Sequence, residues 1–188
     1  MTNKGWWSGE EISSILGLGP EATAVFCARA VLRRDLVRIK RGFYLLPGWL
    51  SKTSEDERFK VSALLQTPSY VSLLTALSVH GISTQFPYSG CEAINPIRSI
   101  KYEAEGFIFQ FVRFPKKIYC GFYNEKSFFI AEPEKAFVDA VYLKSLGRYN
   151  LDSAALHLKK LDPRRINFFV KLFPKKTAIF VKQLMEKI

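Results

Sequence analysis

Between Pro20 and Pro47 the hydrophobic period changes once, from helical to alternating, and the change falls on a run of arginines. A 3.6-residue period and a 2-residue period cannot serve one face, so a helix must end near Arg33-Arg34-Asp35 and a hairpin must follow. At 100° per residue Ala24, Val25, Ala28, Val31 and Leu32 gather on one side, and Thr23, Arg29, Arg33 and Arg34 on the other. The pattern predicts that the apolar side meets a core and the basic side faces out. Phe26 falls among the arginines, where it either covers an interface or touches a thymine methyl. Asp35, which tolerates left-handed backbone better than most residues, is placed to end the helix.

Leu36 to Lys40 then alternates, with Leu36, Arg38 and Lys40 on one face and Val37 and Ile39 on the other. Phe43-Tyr44-Leu45-Leu46 answers it across a turn at Lys40-Arg41-Gly42. Upstream, Ser8-Gly-Glu-Glu11 has capping-box spacing, Ile12, Ile15 and Leu16 share a face, and Gly17 to Gly19 stop that first helix. Two helices and a basic hairpin predict a minimal winged helix-turn-helix over residues 1–50. In such a unit the second helix enters a groove of double-stranded DNA and the hairpin tip grips phosphate.

Charge supports that division. Residues 1–52 carry 8 Lys+Arg against 4 Asp+Glu, residues 53–144 carry 10 against 10, and residues 145–188 carry 10 against 3. Both ends are basic, and a basic surface concentrates polyanions. Cys27, Cys91 and Cys120 are widely spaced, and His80 and His157 are too few to complete a metal cluster with them, so neither disulfides nor a metal is expected. No phosphate loop, dinucleotide fingerprint, zinc motif or nucleophile elbow is present, so no cofactor and no enzyme is expected. With no apolar run of about 18 residues and no signal-peptide core, a cytoplasmic protein without membrane contact is expected.

Ser51 to Ser54 reads as a linker, and residues 54–188 as a second, mixed α/β domain. Ser54-Glu-Asp-Glu57 opens a helix carrying Phe59, Val61, Ala63, Leu64 and Leu65, and Leu73 to His80 forms another, closed by Gly81. His80 is expected as a helix-end residue. From Gly90 to Ala131 four β-rich runs, the last three dense in Phe and Tyr, predict an antiparallel-rich sheet, buried rather than open for base stacking. Pro133 starts a helix on which Lys135 and Asp139 stand four apart, expected as a surface ion pair or a partner contact. Glu134 or Asp139 would serve catalysis only beside another acid or a metal. Residues 146–188 read as a basic helical tail, in which Arg164-Arg165 near a helix start suggests an anionic partner. The fold class predicted is α+β.

Three segments in order resemble one family. They are Arg38-Ile-Lys-Arg-Gly-Phe-Tyr44, Pro68-Ser-Tyr-Val-Ser-Leu-Leu-Thr-Ala-Leu-Ser-Val-His-Gly81, and Ala131-Glu-Pro-Glu-Lys-Ala-Phe-Val-Asp139. Together they are similar to the AbiEi antitoxins, transcriptional regulators of phage-defence (abortive infection, type IV) toxin-antitoxin systems. The resemblance implies that the winged helix binds repeats in its own promoter. It implies too that the larger domain counteracts a nucleotidyltransferase-like toxin. The family's wing pattern falls on Arg38, Lys40, Arg41 and Tyr44, and Asp35 stands where a glycine is common. The expectation is a DNA-binding repressor and antitoxin, with Thr23 and Arg29 reading bases and Arg33, Arg34, Arg38, Lys40 and Arg41 adding contacts. The alternative is a protein-interaction module that neutralises a toxin without a DNA role.

Overall fold

The computed structural model describes residues 4–85, 87 and 90–186. The N-terminal unit contains β1 (Trp6–Ser8), α1 (Gly9–Leu16), α2 (Pro20–Leu32), β2 (Val37–Lys40) and β3 (Phe43–Leu45). Its strands form an antiparallel sheet in the order β1-β3-β2. Ser8 ends β1 and caps α1: its hydroxyl accepts from Glu11 N at 3.1 Å, and the Glu11 carboxylate accepts from Ser8 N at 2.9 Å. The capping box is as read, and Gly17, at φ 64°, stops the helix. α1 and α2 meet at 104°, the crossing of a helix-turn-helix pair.

The exit from α2 differs from expectation. The left-handed residue is Arg34, at φ 64°, one position before Asp35. Asp35 N donates to Ala30 O at 2.9 Å, which closes the last turn around Arg34. The Asp35 carboxylate meanwhile accepts from Arg33 Nε at 2.9 Å. The hairpin differs too: Arg38 pairs with Tyr44 but Lys40 pairs with Phe43, a register shift at Ile39. A bulge of this kind re-aims the residue after it, so Arg38 and Lys40 do not share a face.

The second unit contains α3 (Trp49–Lys52), α4 (Glu55–Leu65), β4 (Tyr70–Val71), α5 (Leu73–Val79), β5 (Gly90–Asn95), β6 (Ile100–Ala104) and β7 (Phe107–Arg113). It continues with β8 (Phe122–Glu125), β9 (Phe128–Ala131), α6 (Pro133–Ser145), α7 (Pro163–Val170) and α8 (Lys175–Met185). One mixed sheet runs β6-β7-β5-β4-β9-β8, with β5/β7 and β4/β9 parallel and the other neighbours antiparallel. The class is α+β. Phe107, Phe109 and Phe111 alternate into the core, so the aromatic run is a buried sheet face, each ring contributing about 1.5–3 kcal/mol. The basic tail folds onto α6 as α7 and α8, burying Ile166, Phe169, Val181 and Leu184. Lys187 and Ile188, read as part of it, lie outside the described residues, as do Met1 to Asn3 of the N-terminal unit.

The first half of the segment read as a linker is helical. Ser51 and Lys52 belong to α3, whose Leu50 is buried. Ile39, Phe43, Leu45 and Leu50 join the same apolar cluster as Phe59, Leu65, Phe107 and Phe109. The hairpin and the larger unit therefore share a core, and Glu105 Oε1 adds an acceptor for Gly48 N at 2.6 Å. Ile12, Cys27 and Tyr44 form a smaller cluster under the two N-terminal helices. Among the described residues no single helix is long and apolar enough to cross a membrane.

Candidate nucleic-acid interface

The buried stripe of α2 is Thr23, Cys27 and Ala30, spaced i, i+4, i+7. These small side chains let the helix lie close on α1 and the sheet. Most of the expected apolar side is turned outward instead: Val25 is 50% exposed and Leu32 83%, with Ala24 and Ala28 also exposed, while Val31 packs half-buried on the small cluster beneath. Thr23 is corrected accordingly. It is 4% exposed and its hydroxyl donates to Gly19 O at 2.9 Å, so it cannot read a base. The stripe was there to be found as small residues at helical spacing, but larger apolar side chains elsewhere on the helix masked it. Phe26 is exposed as well.

Arg29, Arg33, Arg34, Arg38 and Arg41 are all exposed. They lie along α2, its C-terminal turn and the hairpin, where a groove and its flanking phosphates would meet them. Arg33 pairs with Asp35, an exposed pair of little energetic weight. Lys40 is a second correction. Its ammonium donates to Leu65 O at 2.6 Å and Leu64 O at 3.3 Å, and lies 6.0 Å from the centre of the Tyr102 ring. Free carbonyls at the end of α4 attract a cation, so Lys40 staples the wing to the larger unit rather than facing phosphate. Burial, and then Arg98 nearby, lower its pKa.

Lys135 and Asp139 are not on the surface. Both are fully buried and form an ion pair across one turn of α6. Lys135 Nζ also donates to Tyr70 Oη at 2.9 Å, and Asp139 Oδ2 accepts from Tyr70 Oη at 3.0 Å and Ser72 Oγ at 2.9 Å. The ammonium lies 5.2–5.6 Å from the ring centres of Tyr70, Phe114 and Phe173. Desolvation pushes the Asp139 carboxyl up, against the pull of Lys135, Ser72 and Tyr70. Surrounded by rings and by helices α5, α7 and α8, this pair ties the helix to β4 and has no free edge for a partner. Helical spacing shows that two charges meet but not which face is covered, hence the surface expectation.

Arg165 is answered within the chain. It pairs with Glu132, its Nε donating to Oε2 at 3.1 Å, and its guanidinium lies over the Phe168 and Phe169 rings. Arg164 is exposed at the start of α7, where Asp162 caps its backbone N–H at 2.8 Å. Glu134 accepts from Asp162 N at 2.9 Å, and His80 Nε2 is 2.8 Å from Ala131 O, so both tie elements together. Sequence reasoning missed Glu92, a half-buried carboxylate that accepts from Tyr149 Oη at 2.8 and 2.9 Å. Desolvation raises its pKa. The 57 residues separating the partners hide the pair from any local pattern.

No family model matches the chain, and no curated protein matches it. Among solved structures it is similar to the Rv2827c protein from Mycobacterium tuberculosis, with a TM-score of 0.62 at 14% sequence identity. That match covers 98% of this chain and 72% of the other. At such identity the likeness shows the fold alone.

Proposed function

We propose that this protein is a DNA-binding transcriptional regulator that also acts as the antitoxin of a phage-defence system. One observation carries the first half: a two-helix, three-strand winged unit in which Arg29, Arg33, Arg34, Arg38 and Arg41 are all exposed. α2 would enter the major groove, and Arg38 and Arg41 on the hairpin would contact phosphate. The antitoxin half, against a nucleotidyltransferase-like toxin, rests on the resemblance of the three sequence segments.

A gel shift on DNA upstream of its own gene, across a salt series, tests the first half. The expected result is affinity that falls steeply with salt, and Arg41→Ala should reduce the slope by about 0.9 for each phosphate lost. Absent or salt-insensitive binding would refute it. A second reading, a protein module that neutralises a toxin without touching DNA, is favoured by Tyr123 and Phe129, exposed aromatics on the β8/β9 edge of the sheet. Rescue of cells expressing the adjacent toxin by a full-length chain that shifts no DNA would select it.

A further inference from the structure

We infer that α2 reads its DNA site chiefly through thymine methyl groups, with Ala22 and Val25 as the contacting side chains and Arg29 as the one base-directed donor. The inference rests on the DNA-binding proposal and adds what that site selects. With Thr23, Cys27 and Ala30 as the inner side, the outward side is centred on Val25 and Leu32, flanked by Glu21, Ala22, Ala28 and Arg29. Recognition helices place their N-terminal residues on base edges, which selects Ala22 and Val25; Arg29 and Leu32 fall in the last turn, and of these the long Arg29 side chain, one turn after Val25 and leaning toward the helix N-terminus, reaches the same bases. A side chain such as Val has no hydrogen-bonding group, and in the major groove the one apolar feature on any base edge is the C5 methyl of thymine. Arg29 alongside fits the O6/N7 edge of guanine.

The occupant follows from charge. Half-exposed Val25 and exposed Leu32 would, on their own, suit any apolar partner. Arg29, Arg33, Arg34, Arg38 and Arg41 are exposed on the same unit, and Asp35 pairs with Arg33. An apolar strip on a unit rich in exposed arginines suits a methyl-lined groove between two phosphate backbones. A second copy of this chain, net charge +11, would be repelled there.

The full-length chain is used to select binders from a pool of random short duplexes at low salt, and the selected duplex is remade with deoxyuridine in place of each thymine. That change removes the methyl and keeps base pairing. Affinity should fall about fourfold at each thymine contacted, the effect of one buried methyl-sized group. Val25→Ala should lower affinity for the thymine duplex by a similar factor. On the duplex with uracil at the matching position it should add little, because the contact is already gone. Val25 is exposed, so the variant tests contact and not folding. Equal affinity for thymine and uracil duplexes overturns the inference and leaves DNA binding standing. Failure to retain any duplex overturns both and assigns the apolar strip to a protein partner.

Discussion

Helices α2 and α6 are alike in plan: each has 13 residues and starts on proline. Their surfaces are inverted. α6 buries ten residues, among them Glu134, Lys135 and Asp139, while α2 buries three and exposes Val25, Phe26 and Leu32. Surroundings account for the difference. α6 is packed by α5, α7, α8 and β9, whereas α2 is packed chiefly by α1. Charges enclosed in α6 are answered by groups of the same chain, which makes them a stability device. Apolar groups displayed by α2 have no such answer within the described residues.

Breaking the enclosed pair should have the largest effect. Asp139→Asn leaves the Lys135 ammonium buried without its counter-charge and should destabilise the protein by about 3–5 kcal/mol in urea unfolding. Lys135→Met combined with Asp139→Leu should recover part of that. A loss below about 1 kcal/mol for Asp139→Asn would mean that α6 is no more constrained than α2. Next in size is Lys40→Met, which keeps the stem but removes the staple on the Leu64 and Leu65 carbonyls. It should cost about 1.5–3 kcal/mol, as expected of charged hydrogen bonds, and leave the salt slope of DNA binding unchanged. A flattened slope would return Lys40 to the DNA face.

Arg34→Gly, at the left-handed exit of α2, should stabilise the fold by about 0.5–1 kcal/mol, the relief of strain less the greater freedom of an unfolded glycine. Thermal unfolding measures it, and destabilisation would show that the Arg34 side chain is held by contacts of its own. The smallest change concerns slope rather than size. Desolvation raises the Glu92 pKa from its ordinary 4.5, so the folded state binds more protons than the unfolded state just above that value. Glu92 therefore lowers stability as pH rises through this window. Glu92→Gln removes the titration, so its stability relative to the parent should grow from pH 4 upward; a constant difference would show that Glu92 titrates normally.

Much of the local structure could be read from residues: the Ser8/Glu11 cap, the Gly81 stop, the hairpin around Gly42 and the buried Phe107–Phe111 face each follow from neighbours in sequence. What could not be read depends on distant packing. Lys40 finds the end of α4 across 25 residues, and Asp139 finds Ser72 across 67. The side of α2 that faces inward was mistaken because Thr, Cys and Ala count as weakly apolar, although their smallness is what permits the close approach. The exposed arginines, in contrast, were legible because a guanidinium is costly to bury, so these cations belong in solvent on elementary grounds.

The shared core under the hairpin bears on how this chain can be cut. A fragment beginning at Ser54 would lose Ile39, Phe43, Leu45 and Leu50, uncovering the apolar surface they occupy, along with the Lys40 staple on α4. A fragment ending at Leu50 would keep its own small cluster of Ile12, Cys27 and Tyr44 but carry an unmatched half of the larger one. The two halves are then distinct in architecture but not exchangeable parts: replacing the N-terminal unit by another would require redesign of the seam from Ile39 to Leu50.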